Sequence, residues 1–175
     1  GAGGDEGRLM HTMFQWLQGQ LHTQFTIDRM ASRSNAQVRP SACSAYCSMS
    51  SVDPSAVGRS AFLVDWNEQR LYPFGQCQNY CFPLFAFIPR VLQHVRECRA
   101  SATLIVPNWP SQAWWADLMA LKTVVLEFPD GPVFERVCDG EWQPVTKMSF
   151  RPLAVVVSAV GLSSNRAPWE WSSRG

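Results

Sequence analysis

Three parts of the chain are predicted to be helices, and in the first two of them hydrophobic residues recur every three or four positions, the spacing of an amphipathic helix. The first part is residues 9–21, which we interpret as a short leader helix. The second is residues 86–99, where Pro89 suits the first helical turn. The third is residues 111–122, for which Ser111 is a suitable N-cap.

Continuous apolar and β-branched runs, typical of strands buried on both faces of a parallel sheet, alternate with these helices. The first run ends at Asp28, and a polar stretch without periodicity, residues 32–58, is predicted to be a loop. The alternation predicts a layered α/β sandwich around a largely parallel sheet. The strand candidates are residues 25–31, 60–66, 70–74 with 78–82, 101–110, 123–128 and 153–160.

The same pattern divides the chain into three parts. Residues 1–24 are a leader segment with a short helix, residues 25–160 are an α/β domain, and residues 161–175 are a disordered tail. A length of 175 residues with 46% apolar and 12% aromatic residues suits one globular domain. Since the chain begins at Gly1 and not at Met, we expect a piece of a longer product.

The charge balance excludes a basic nucleic-acid footprint over the whole chain. Fifteen Lys and Arg face fourteen Asp and Glu, which leaves a net charge of +1, so any contact with DNA or RNA would be local. No apolar run reaches the roughly 18 residues that cross a bilayer, and no signal peptide opens the chain. We therefore expect an intracellular location, nucleus or cytoplasm, and no membrane partner.

The six cysteines leave two interpretations. Free thiols are expected in a reducing compartment. The alternative is a structural zinc site built from two C-x₃-C pairs, Cys43 with Cys47 and Cys77 with Cys81, and we favour free thiols. No G-x-G-x-x-G motif supports a dinucleotide site, and three scattered histidines support no hydrolytic triad.

Side chains on the second and third helices also have two interpretations. Arg90, Arg96 and Arg99 either contact phosphates or are simply solvated, which is the commoner role. His94 on the same helix is expected at the surface. The tryptophans of residues 109–115 either pack in the core or at its rim, or stack on bases of a single strand.

Five motifs occur in order over residues 25–118: "TIDRMAS-S-NAQ", "AFLVDW", "FPLF", "IPRVLQHVR" and "TLIVPNWPSQAWW". Together they resemble the DNA adenine-N6 methyltransferase-like domain of the phage Dam type. The version they resemble in particular is carried by DIRS-type tyrosine-recombinase retrotransposons, downstream of reverse transcriptase and RNase H. Each motif alone is weak, and the resemblance depends on their order and spacing.

The resemblance implies a Rossmann-like three-layer sandwich of the S-adenosylmethionine-dependent methyltransferase type for residues 25–160, with ligands beyond the carboxyl ends of the strands. S-adenosylmethionine is the implied cofactor. Asp28 and Asp65 are its candidate binding residues, and Asn35 follows at the family's spacing. Otherwise each carboxylate would be interpreted as capping a turn. The implied partners are DNA or RNA and the other domains of the same polyprotein.

The tetrapeptide Phe82, Pro83, Leu84, Phe85 stands where the family has its catalytic motif, Asp or Asn, Pro, Pro, then Tyr or Phe. Such an enzyme extrudes the adenine and stacks the fourth residue on it. The first side chain and a backbone carbonyl accept hydrogen bonds from the amino group. These four residues are therefore the candidate catalytic residues, in a degenerate form of the motif.

Phe82 has no hydrogen-bond acceptor, and Leu84 replaces the second proline, whereas Phe85 can still stack. Loss of one preorganised hydrogen bond costs on the order of 10²–10³ in rate, so we expect a weak or inactive methyltransferase. The alternative is a non-catalytic nucleic-acid-binding or scaffolding module of the retroelement's replication machinery. A decayed genomic copy is a third interpretation, and a plain proline loop with aromatics in the core is the simplest one.

Overall fold

The computed structural model describes residues 7–31, 45–48, 61–67 and 77–162, and these ranges contain three α-helices and nine β-strands. The helices are α1 (His11–Leu21), α2 (Ile88–Cys98) and α3 (Trp115–Leu121). The strands are β1 (Gly7–Leu9), β2 (Ile27–Ala31), β3 (Ala45–Ser48), β4 (Asn79–Cys81), β5 (Ser101–Pro107), β6 (Lys122–Glu127), β7 (Phe134–Cys138), β8 (Glu141–Pro144) and β9 (Pro152–Ser158). None of these helices is long and apolar enough to span a bilayer.

Six of the described strands form one sheet in the order β3-β2-β4-β5-β9-β6. Neighbours from β3 to β5 pair in parallel, whereas β9 pairs antiparallel with both β5 and β6. β6 therefore runs in the same direction as β5, and β9 is the reversed strand between them. β4, α2 and β5 form a parallel crossover unit. The chain has a mixed α/β fold, as predicted, and its main sheet is mixed, with three parallel and two antiparallel pairings among the described strands.

The helices pack on opposite faces of this sheet. α2 and α3 bury Val91 and Leu118 against one face, where they meet Leu104 of β5. α1 buries Phe14 against the other face, which includes the next residue of β5, Ile105. Successive side chains of a strand point to opposite faces, so β5 serves both cores. We call the two sides the helical face and the aromatic face.

A second, antiparallel sheet in the order β1-β7-β8 packs on the aromatic face. Its buried residues Leu9 and Phe134, and Val133 directly before β7, belong to the core of that face. β7 and β8 are joined by Asp139 and Gly140, which have positive φ angles of 53° and 78°. Two such residues make the tight turn that suits a hairpin, and Asp-Gly is its sequence signal. The hydrophobic pattern alone did not predict this sheet.

Most of the predicted elements are confirmed. α1 lies within residues 9–21 and α2 within residues 86–99, with Pro89 in its first turn. α1 packs on the same sheet as the elements of the predicted α/β domain. The strands β2, β4, β5, β6 and β9 lie in or overlap their predicted runs. Residues 70–74, and 163–175 of the predicted tail, lie outside the described residues.

The prediction of a buried strand at residues 60–66 is wrong. Ala61–Leu63 is a 3₁₀ turn, and Leu63 is 78% exposed. Trp66 is fully buried, and its indole Nε1 donates a hydrogen bond to the carbonyl of Ala61 at 2.8 Å. That bond closes the segment on itself, and a short apolar run does not by itself distinguish a strand from a buried turn.

Three further predictions are corrected. Residues 45–48 form strand β3 inside the predicted loop, where they pair in parallel with β2. Ser111 does not cap α3, which begins at Trp115 after turns in which Trp115 N–H bonds the Gln112 carbonyl. Asp28 does not end its strand, which continues to Ala31.

Candidate functional site

The tetrapeptide of residues 82–85 follows β4 directly, at the carboxyl end of the parallel strands. Folds of this kind bind ligands at that edge. The Leu84 carbonyl accepts a hydrogen bond from the Phe87 N–H at 2.9 Å, which starts the 3₁₀ turn Phe85–Phe87 that leads into α2. The sequence therefore places the tetrapeptide at the expected position between strand and helix.

Phe82 is packed in the core of the aromatic face. Its side chain is 4% exposed, and its ring stacks on Phe134 of β7 with centroids 5.0 Å apart and planes 27° apart. Pro83 is also buried. The first position of the tetrapeptide thus presents a hydrocarbon ring that is held by a neighbouring strand, and it accepts no hydrogen bond from a substrate.

Phe85 joins an aromatic cluster at the same edge. Its ring makes edge-on contacts with Trp109, 5.2 Å away in the loop after β5, and with Phe150, 5.1 Å away in the segment before β9. Trp109 and Phe150 are themselves 5.9 Å apart. Phe85 is half-buried, so a ring in the fourth position of the tetrapeptide remains at the carboxyl edge.

Asp28 lies inside the sheet and not at its rim. It is 2% exposed, and it pairs in register with Tyr80 of β4, so the two side chains share the aromatic face. Burial raises the pKa of Tyr80 well above its ordinary value of 10.0, and the nearby Asp28 and Cys81 raise it further. Asn35, which follows at the family's spacing, lies outside the described residues.

Asp65 lies at the other end of β4. The carbonyl of its neighbour Trp66 accepts a hydrogen bond at 2.8 Å from Nδ2 of Asn79, the first residue of that strand. Asp65 itself is exposed, and its Oδ1 accepts the N–H of Asn67 at 2.8 Å, the turn-capping contact of the alternative interpretation. The structure therefore does not bring Asp65 together with Phe82.

A buried polar network at that amino end was missed from the sequence. Asn79 Nδ2 also donates to the Ser101 carbonyl at 2.8 Å, and Asn79 Oδ1 accepts from Arg29 Nε at 2.7 Å. Arg29 is 2% exposed, and its guanidinium lies 5.6 Å from the centre of the Trp66 ring. The network holds β2, β4, β5 and the "DW" segment in place, which is a structural role.

His94 and Cys98 form a pair one helical turn apart, and His94 is half-buried, not a surface residue as predicted. His94 Nε2 lies 2.7 Å from the Val64 carbonyl and 3.3 Å from Cys98 Sγ. Burial raises the pKa of Cys98 from 9.0 to about 12 and lowers the pKa of His94 below 6.5. A thiol that resists ionisation is a poor nucleophile, so the pair gives no support for a hydrolytic dyad.

A pocket of about 220 Å³ lies beside β7, and we call it the β7 pocket. Its apolar wall includes the rings of Phe82, Phe134 and Phe150. Its charged residues are Glu135, Arg136 and Lys147. Sequence reasoning missed this pocket because most of its lining comes from the small sheet and from residues 145–150.

The cysteine pairs give no sign of a metal site in the described part of the chain. Cys77 and Cys81 are buried free thiols, and Cys77 Sγ lies 3.3 Å from Arg29 Nη2. Cys43 lies outside the described residues, and Cys47 lies in β3. No group of three or more metal-ligating side chains occurs among the residues whose positions are described.

Comparison with known proteins found no family model that matches the chain and no curated protein similar to it.

Proposed function

We propose that the chain is a methyltransferase-like domain of a DIRS-type retrotransposon polyprotein in which adenine-N6 methyl transfer is weak or lost. One observation carries this proposal. The tetrapeptide occupies the carboxyl edge beyond β4, and its first residue is the buried, stacked Phe82. The position suits the catalytic loop of the resembled family, and the side chain cannot perform its chemistry.

The strand order supports the methyltransferase-like part of the proposal. β9 runs opposite to its neighbours and is inserted between β5 and β6. Doubly wound α/β folds, the class to which the resembled family belongs, often combine parallel strands with an antiparallel one. This observation does not depend on the sequence motifs, since β6 and β9 lie beyond residue 118, where the resemblance ends.

Phe82 supports the part of the proposal that concerns lost activity. A hydrogen-bond acceptor aimed at the amino group turns its lone pair toward the methyl donor, and a phenyl ring has none. Because the ring is held against Phe134, its rotation would expose apolar surface and offer no acceptor. We therefore expect methyl transfer at least 10²–10³ below an intact motif, as an order of magnitude.

The two acidic candidates do not fit one S-adenosylmethionine site. Asp28 is buried under the aromatic face, and Asp65 lies at the amino end of β4, whereas the cofactor would lie beyond the carboxyl ends. A carboxylate that binds ribose hydroxyls must reach the ligand. This disagreement is a second reason to expect weak methyl transfer.

Calorimetric titration with S-adenosylmethionine and S-adenosylhomocysteine tests the proposal, followed by methyl transfer to adenine-containing single- and double-stranded DNA. We expect at most millimolar binding and no measurable transfer by the unmodified chain. Asp28→Asn should weaken S-adenosylmethionine binding if Asp28 contacts the cofactor, and should change only stability if Asp28 has a packing role. Phe82→Asn tests whether a hydrogen-bond acceptor at this position restores methyl transfer. Robust transfer by the unmodified, folded protein would contradict the proposal.

A second candidate function is a non-catalytic nucleic-acid-binding module. The observation that favours it is the β7 pocket, which combines aromatic rings with two cationic side chains close to the tetrapeptide. Aromatic stacking and phosphate contacts are the two means by which proteins hold single strands. This function needs no acceptor at position 82.

A further inference from the structure

The β7 pocket has an aromatic wall of packed side chains. Phe82 and Phe134 are 4% and 6% exposed, and each belongs to the core of the aromatic face. Phe150 is tilted 44° from Phe134 with centroids 5.9 Å apart, and it is only half-buried. The wall is therefore preformed, and an aromatic ligand would meet it without ordering new side chains.

The charge at the rim of the pocket is positive. Glu135 is paired with Arg8, whose guanidinium also lies 3.8 Å from the centre of the Trp142 ring. Arg136 and Lys147 are exposed, and neither forms an ion pair with any residue that the structure describes. Two cations without an acidic partner beside an apolar wall favour a ligand that carries both a ring and a negative charge.

We propose that the β7 pocket binds one nucleotide of a single strand of DNA or RNA, with its base against Phe150 and its phosphate between Arg136 and Lys147. A volume of about 220 Å³ is below the roughly 300–1,000 Å³ of pockets for drug-sized ligands, so it suits one ring system. A base inside a duplex is stacked on its neighbours and cannot enter without being extruded. The inference rests on the nucleic-acid-binding alternative and names its site.

The chain allows matched controls for both contacts. It contains two lysines, Lys147 at the pocket and Lys122 at the start of β6. Because β6 runs in the same direction as β5, Lys122 lies at the amino ends of the parallel strands, opposite the carboxyl edge. Phe150 has a counterpart in Phe128, which is also half-buried and contacts Trp16 at 5.5 Å. Lys147→Glu is therefore compared with Lys122→Glu, and Phe150→Leu with Phe128→Leu.

Fluorescence anisotropy with a 12-nucleotide labelled single strand, without any methyl donor, measures binding. We expect Phe150→Leu to weaken binding about tenfold because base stacking is lost. Lys147→Glu should weaken binding and lower the slope of log K against log salt by about 0.7, the value for one phosphate contact of a single strand. Both control variants should bind as the unmodified protein does.

An amine-reactive footprint gives a second readout that does not depend on a variant folding. The oligonucleotide should slow modification of Lys147 several-fold and leave Lys122 unchanged. The inference would be overturned if the oligonucleotide protected both lysines equally, or if Lys122→Glu weakened binding as much as Lys147→Glu does. It would also be overturned if a duplex bound as tightly as the single strand. Methyl transfer plays no part in this assay, so a failure here is distinct from a failure of the methyltransferase-like proposal.

Discussion

The two faces of the main sheet are packed by different chemistry. Among the described residues, the buried core of the helical face is mostly aliphatic and includes two rings, Trp66 and Trp114, and a hydrogen-bonded polar network surrounds Asn79 beside it. Half of the ten buried residues in the core of the aromatic face carry rings, and the rings of this face extend from Phe14 under α1 to Phe150 at the carboxyl edge. The β7 pocket opens at one end of the aromatic face, and another pocket, beside Asn79, opens at the amino ends of the parallel strands.

This difference indicates where function can reside. Aliphatic side chains on helices interdigitate and leave few voids. Large flat rings prefer tilted and edge-on contacts, and these leave ring faces available for a ligand. The β7 pocket lies on the aromatic face, and the tetrapeptide carries rings into the same edge. We therefore expect substitutions on the helical face to change stability, and those at the open end of the aromatic face to change binding.

The largest expected effect is a loss of stability when the polar network on the helical face is removed. Asn79→Ala removes one partner of buried Arg29 and removes the side-chain donor to the Trp66 and Ser101 carbonyls. We expect the free energy of unfolding to fall by about 3 kcal/mol. Urea denaturation measures it, with the exposed Asn67→Ala as control. A fall equal to that of the control would show that the helical face does not depend on this network.

A smaller effect of opposite sign is expected on the aromatic face. The Tyr80 hydroxyl is buried, and it has no hydrogen-bond partner among the described residues. Tyr80→Phe should therefore raise the free energy of unfolding by about 1 kcal/mol. Because the folded state keeps the phenol neutral, stability should fall above about pH 10 in the unmodified protein and less so in the variant. Thr146→Val, at an exposed hydroxyl, is the control, and a destabilised Tyr80→Phe would argue against an unpartnered hydroxyl.

The smallest expected effect is on how the stability of the protein changes at acidic pH, through His94 on the helical face. Burial lowers the pKa of His94, so the unfolded state binds the proton more readily and stability falls as the pH drops below 6.5 through that lowered pKa. His94→Gln should flatten this decline between pH 7 and pH 5, measured by thermal melting. His11→Gln at an exposed helix position should leave it unchanged. An unchanged slope in His94→Gln would assign the decline to other groups.

The sequence predicted the local elements because their signals are local. Helical spacing identified α1 and α2, and apolar runs identified β5, β6 and β9, since each depends on residues a few positions apart. The same reasoning failed at residues 60–66, where the decisive contact is the burial of Trp66 and its hydrogen bond to Ala61. An apolar run does not reveal which of its side chains will be buried or which backbone group will accept a hydrogen bond.

By itself the sequence determined the mixed α/β class, the position of the tetrapeptide between strand and helix, and the absence of an acceptor at Phe82. Only the tertiary structure decided the reversed insertion of β9, the packing of Phe82 on Phe134 and the separation of Asp65 from that edge. Those features join residues 13 to 57 positions apart in the chain. Contacts between distant residues form where side chains of the whole chain are buried together most favourably. The local spacing of hydrophobic residues does not reveal which distant segments will pair.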